Sequence, residues 1–217
     1  MRSQPSTIES VSFSTRGLPP RGRRDALRSL QERGIMTVEP LRDHVPHAAI
    51  RKRFLPGADI LSGTIGGLRQ FGTQHGGDNV FFSMVLDGDS IACERGREIS
   101  LRSGDALVFS GADGGCTIDR RATVRFAAMR MPYRALAPLV ANLNDAAMRL
   151  IPKETGSLRL LASYLRAIDM GHALDWPDLC PAVVSHIHDL VALSVGATRT
   201  FSSSQKSAAC APHDCGR

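Results

Sequence analysis

The chain has 217 residues, 42% of them hydrophobic, enough for one large domain or two small ones with a substantial core. Aromatic residues make up only 5%, so the core is expected to be mostly aliphatic. The net charge of +6 hints at nucleic acid, but the excess lies wholly in residues 1–53, where 11 Lys and Arg face 5 Asp and Glu, and residues 54–217 carry 16 of each sign. The basic segment RGRRDALRSLQERG has no aromatic residue on which a base can stack, so it reads as an exposed arginine-rich helix rather than a DNA-contacting arm.

Residues 1–20, rich in Ser, Thr, Gly and Pro, read as a mobile lead-in without the apolar segment of a secretory signal. A short helix is predicted over 22–33, with Ala26, Leu27 and Leu30 as its apolar stripe. From 47 to 131 the pattern changes to short strands: AAIRKRFL, ILSGTIGGLRQF, NVFFSMVL, IACER, EISLR, ALVF, CTIDR and VRFAAMRM. NVFFSMVL is nearly continuous in apolar residues, so it is expected to be buried on both faces. Closely spaced turn signals in an unbroken strand series point to a sandwich or barrel rather than βαβ units.

After Pro132 the spacing becomes helical. Leu136, Leu139, Val140, Leu143, Ala147 and Leu150 fall on one stripe, and a second helix after Gly156 carries Leu158, Leu161, Leu165 and Ile168. A third begins near Trp176-Pro177 and carries Leu179, Val183, Ile187, Leu190 and Val191, a stripe able to pack on a copy of itself. No apolar run reaches the length of a membrane span, because His186, His188 and Asp189 interrupt VVSHIHDLVALSV. Residues 200–217 lose all periodicity and read as a disordered tail. The organisation expected is therefore a flexible arm at 1–20, a helix and barrel at 21–131, a helical segment at 132–199 and the tail.

Catalytic constellations are sparse. A metal-binding barrel of the cupin kind needs clustered histidines, but His47 and His75 are isolated in the strand region. The one His-x-His, His186 and His188, lies in a predicted helix, where i and i+2 point about 200° apart. No G-x-S-x-G is present, and GADGGC at 111–116 lacks the lysine of a phosphate loop. Asp87, Asp89 and Asp105 sit at turns, which favour Asp and Gly for backbone reasons alone. Five dispersed cysteines, with no CxxC pair, read as reduced thiols of a cytoplasmic protein. A ligand pocket without catalytic groups remains. Alternation divides the central strand into Phe82, Met84 and Leu86 on one face and Phe81, Ser83 and Val85 on the other. The candidate ligand residues are Arg69, His75, Phe82 and Met84; no catalytic residue, metal or cofactor is expected.

GGDNVFFSMVLDGDSIACERGREISLRSGDALVFSG, then MRMPYRALAPLV, then SHIHDLVALSVGATR, resemble the N-terminal sensor domain of AraC-type transcription regulators. The marks of the resemblance are Gly88, Gly96, Arg97, Glu98, Leu101, Gly104, Asp105 and Ala106, followed by His188 to Thr198. It runs from about residue 15 to 199. It implies an α+β fold: a cupin-like antiparallel β-barrel or sandwich followed by a small C-terminal helical dimerisation segment. It also implies an unidentified small-molecule effector and a homodimer, or a heterodimer with a full-length relative. Leu179, Val183, Ile187, Leu190 and Val191 are the candidate dimer interface. Family members continue into two helix-turn-helix units, whereas only 18 residues follow Arg199 here. The expectation is a truncated regulator without direct sequence-specific DNA binding and without membrane association. The alternative kept open is a small cupin-type metal-dependent enzyme.

Overall fold

The computed structural model describes residues 8–72, 78–94, 96–110, 116–143, 146–170, 174 and 176–196. It is an α+β arrangement of two antiparallel sheets with helices behind the larger one. The strands are β1 (Glu9–Ser14), β2 (Thr37–Pro40), β3 (His47–Leu55), β4 (Ala58–Gly66), β5 (Leu68–Phe71), β6 (Asn79–Asp87), β7 (Ser90–Glu94), β8 (Arg97–Leu101), β9 (Ala106–Ser110), β10 (Thr117–Arg120), β11 (Val124–Pro132) and β12 (Arg149–Ile151). The helices are α1 (Pro20–Glu32), α2 (Tyr133–Leu136), α3 (Gly156–Met170) and α4 (Cys180–Val195). The large sheet runs β1-β3-β4-β11-β6-β9-β12 and the small one β2-β5-β10-β7-β8.

Each face of the large sheet is covered, so there are two cores. Between the sheets lie Ile50, Leu61, Ile65, Leu68, Val85, Leu107, Ile118 and Phe126. Behind the large sheet, Ile60, Phe82, Met84, Val108, Met129 and Met131 meet Leu136, Leu158, Leu161, Val183, Ile187 and Val191 of the helices. This is why NVFFSMVL lacks polar alternation: β6 buries both of its faces.

The turn between β8 and β9 shows what Gly104 and Asp105 do. Gly104 sits at φ +92, and a Cβ there would lie 2.7 Å from Cβ of Lys153. Asp105 accepts from the backbone N–H of Arg102 at 2.9 Å and of Lys153 at 3.0 Å, tying the turn to the segment that leads into α3. Its role is structural.

Three expectations about elements need correction. Residues 9–14, inside the expected arm, form β1 and pair with β3 from Glu9↔Phe54 to Ser14↔Ala49. The helix predicted over 133–150 stops after one turn at Leu136, since Pro138 removes an N–H and crowds the preceding turn. Leu136, Val140 and Leu143 are still buried without the helix, whereas Leu150 is exposed and residues 149–151 pair with β9 instead. A short strand, β2, lies where none was expected, paired with β5. By length and composition Pro177–Val195 would suit a membrane span, but half of that window is buried inside the protein, as suits a core helix.

Candidate functional site

A cavity of about 260 Å³ opens between the sheets. Its floor is one row of cross-strand neighbours on the inner face of the large sheet: Phe54↔Asp59, Asp59↔Arg130, Arg130↔Phe81 and Phe81↔Phe109. Asp59, Arg130, Phe81 and Phe109 of this row line the cavity, and Ile35, Met36, Lys52, Leu61, Gln70 and Phe71 complete most of its wall. The period of two along each strand puts these side chains on one face. Phe81 and Phe109 stack with centroids 5.3 Å apart and planes 8° from parallel.

The polar part of the wall is a three-residue charge cluster. Asp59 Oδ2 lies 2.7 Å from a terminal guanidinium nitrogen of Arg130 and 3.7 Å from Nζ of Lys52. Lys52 and Asp59 are buried, while the Arg130 side chain is about half exposed at the mouth. The Lys52 ammonium also sits 4.7 Å from the centroid of Phe54 and 3.5 Å from the carbonyl of Gly34. Burial holds the Lys52 pKa below its ordinary value, with Asp59 pulling the other way.

Behind Gln70 lies a second buried cation. Arg120, fully buried on β10, donates to Gln70 Oε1 at 2.6 Å and rests its guanidinium 4.6 Å from the centroid of Phe126. Its Nε and second terminal nitrogen have no hydrogen-bond partner. Burial lowers its pKa to about 10. Nearby Cys116 is also buried, and desolvation pushes its thiol up to about 12, so it is an inert thiol at neutral pH.

The sequence-derived candidates fall elsewhere. Arg69 points away from the cavity on the outer face of the small sheet, where Nε and a terminal nitrogen donate to Asp119 at 2.6 and 2.8 Å. Phe82 and Met84 are fully buried in the helix-facing core, on the opposite face of β6 from Phe81. His75 lies outside the described residues. Of the interface candidates, Val183, Ile187 and Val191 are buried in the protein's own core and Leu190 is half-buried; only Leu179 is exposed. An apolar helix stripe must first cover its own sheet, and that need takes these residues. The two helix histidines point apart as their spacing requires: His186 Nδ1 bonds the Tyr164 hydroxyl at 3.0 Å, and His188 Nε2 donates to the carbonyl of Gly57 at 3.0 Å. Among the described residues no three His, Cys, Asp or Glu side chains gather as a metal site would require.

A second cavity, of about 240 Å³, lies between the outer face of the large sheet and α3, with Arg53, Arg125 and Arg166 on its wall. Arg53 is engaged by Asp169. The inter-sheet cavity is the stronger site because Lys52 and Asp59 on its wall are buried and its aromatic wall is preassembled.

No family model and no curated protein sequence matches the chain. Among solved structures it is similar to the AraC-like transcriptional activator CuxR, with TM-score 0.70 and 21% identity over 90% of this chain and 73% of that one. At that identity the likeness speaks for the fold. It extends over strands and helices together, as the resemblance in the sequence implied. The cupin domain of an XRE family transcriptional regulator from Enterobacter cloacae overlaps 44% of this chain and 95% of its own, at TM-score 0.33 and 18% identity. A cupin protein from Bacteroides fragilis overlaps 36% of this chain and 68% of its own, at TM-score 0.30 and 23% identity. These two overlaps are too partial to carry an argument about function.

Proposed function

We propose that the chain is a non-enzymatic small-molecule sensor and dimerisation domain of an AraC-type transcription regulator. The observation that carries this reading is the inter-sheet cavity, with apolar walls, a stacked aromatic pair and the Asp59-centred charge cluster at one side. Such a wall binds and orients a ligand. The likeness of the whole fold to an AraC-like activator supports the same reading. The effector acts by binding one of two states of the domain more tightly, which is the whole of the signal. The working form is cytoplasmic, and is a dimer with a second copy or with a relative that carries a DNA-binding domain. Leu160 on α3 and Leu193 on α4 leave exposed apolar surface for such a contact.

Two measurements on the purified chain test this reading. A panel of small metabolites is screened by thermal shift, and sedimentation velocity is run at tens of micromolar with and without any stabilising compound. A compound that raises the melting temperature and changes the dimerisation constant is the expected result. A strict monomer that no compound stabilises overturns it. Elemental analysis finding about one equivalent of tightly held Fe, Mn, Ni or Zn would favour the metal-dependent enzyme instead.

A further inference from the structure

We propose, building on the sensor reading, that the inter-sheet cavity takes a small monocarboxylate with a flat apolar body, its carboxylate held by Lys52 and Arg130 and its body against Phe81.

The first argument is the balance of charge. Two cations on the wall, Lys52 and Arg130, share one carboxylate, Asp59. Asp59 Oδ2 is closest to Arg130, at 2.7 Å, so Lys52 is left with contacts of 3.7 Å to Asp59 and 3.5 Å to the Gly34 carbonyl. An ammonium has three donors, and a buried one is stabilised by short charge-assisted bonds near 2.8 Å. Lys52 is therefore buried beside a cavity with its donors poorly used. An incoming carboxylate supplies the missing acceptor and brings the cluster to two cations and two anions.

The second argument is donor and acceptor sense. Gln70 commits its carbonyl oxygen to Arg120, so the atom it has left to offer is the amide nitrogen, a donor. Arg130 offers only donors, and so does Lys52. Apart from Asp59, whose Oδ2 stands at ion-pair distance from both cations without a well-aligned hydrogen bond, the polar side chains of this wall offer donors, which selects a ligand group made of acceptors. A carboxylate meets that demand, and a neutral amide or alcohol meets it only in part. Burial, which disfavours a charged lysine, makes Lys52 a group that gains from an anion beside it.

The third argument is shape. About 260 Å³ lies just below the range of roughly 300–1,000 Å³ typical for drug-sized ligands, so the molecule is small. Phe81 is already stacked on Phe109, and a flat group continues that stack at little conformational cost. Phe81 is also the cross-strand neighbour of Arg130. The apolar and cationic subsites are thus adjacent.

The test uses the whole chain, isothermal titration calorimetry, and benzoate, benzamide and cyclohexanecarboxylate as probes. Benzoate is expected to bind with a Kd at or below the millimolar range, at least about tenfold more tightly than benzamide. Cyclohexanecarboxylate, with the same charge and no flat ring, is expected to bind several-fold more weakly than benzoate. Lys52→Met should weaken benzoate about tenfold or more and leave benzamide unchanged, and Arg69→Ala, on the outer face, should change neither. Should Lys52→Met fail to melt cooperatively, Arg130→Gln at the cavity mouth takes its place, and the wild-type benzoate-to-benzamide ratio needs no variant. Equal affinities for benzoate and benzamide overturn the carboxylate assignment and leave the sensor reading standing. No binding of any of the three by cooperatively melting wild-type protein also overturns it, and the metabolite panel then decides the sensor reading separately. Equal binding of the two carboxylates overturns the flat body.

Discussion

Arg120 is a fully buried guanidinium with one hydrogen bond, one aromatic contact and two nitrogens left over, so the sign of its contribution is worth working out. Burial lowers its pKa from 12.5 to about 10, which at 1.36 kcal/mol per unit corresponds to about 3 kcal/mol against the charged form. The contact with Phe126 returns about 2 kcal/mol when desolvated, and the charge-assisted bond to Gln70 about 1.5–3 kcal/mol. Arg120→Met keeps much of the volume and removes all three terms. The net expected loss is small, about 0.5–2 kcal/mol, or a few degrees in melting temperature for a chain of this size. Part of that loss is the Gln70 oxygen left without its donor. Arg120→Met/Gln70→Leu removes that deficit and should recover about 1–2 kcal/mol, reaching or passing the wild type. Urea denaturation followed by circular dichroism, with an unchanged m-value, measures both variants, and the double-mutant cycle isolates the coupling. A loss above about 4 kcal/mol in Arg120→Met, or strictly additive effects in the double variant, would refute the reasoning. It would mean that Arg120 is matched by a partner worth as much as a buried counter-ion.

Other substitutions separate the two faces of the large sheet. Met84→Ala, in the helix-facing core, should cost about 2–5 kcal/mol in chemical denaturation. Asp59→Asn leaves Lys52 and Arg130 without their shared carboxylate; with Arg130 half exposed the expected loss is about 1–3 kcal/mol, read by thermal melting. Gly104→Ala forces a Cβ to 2.7 Å from Cβ of Lys153 at a positive φ, and should lower stability by about 1–3 kcal/mol. Cys116 makes stability fall with alkaline pH. Its folded pKa, about 12, lies above the ordinary 9.0, so its contribution is whole below pH 9 and is lost as pH rises from 9 toward 12. The stability of wild type relative to Cys116→Ala should drop by about 1 kcal/mol between pH 9 and 10. In the same protein, site-resolved alkylation at pH 8 should label half-buried Cys93 well before Cys116.

The sheets were legible in the sequence because turn residues and alternation are local signals. Gly88, Gly104 and Asp105 sit at the turns their chemistry suits, and the expected strands of residues 47–131 are present. The helix over 133–150 misled because burial and helicity share a signal there. Leu136, Val140 and Leu143 are spaced for a helix and are buried, yet Pro138 ends it. The candidate site was half legible. Alternation divides β6 correctly into Phe81 and Phe82 faces, but a strand buried on both sides has no polar face to say which is inward. Lys52 was the missed signal. It stands in phase with Ala48 and Ile50 on β3, and a lysine on the buried face of a strand marks either a partner or a ligand. Its partner Asp59 is close along the chain, but Arg130 and Phe109 arrive through cross-strand pairing that no local pattern encodes.

The same strands connect the cavity to the helices. On β6, Phe81 lines the cavity and Phe82, the next residue, seats the helical core. On β11, Ala128 and Arg130 line the cavity, while Met131 packs toward the helices and Tyr133 begins α2. Close packing makes such a sheet stiff, so a displacement of Phe81 or Arg130 is passed to its neighbour in the chain rather than absorbed. A ligand that draws Lys52 and Arg130 together therefore acts on strands whose reverse face carries α3 and α4. This gives the helix α3 and α4 surface, where Leu160 and Leu193 are exposed, a direct mechanical relation to the cavity without any intervening loop. On the proposed reading, in which the output is an interface, that relation is the physical requirement for sensing: two sites, one element between them, and ligand contacts that differ between its two arrangements.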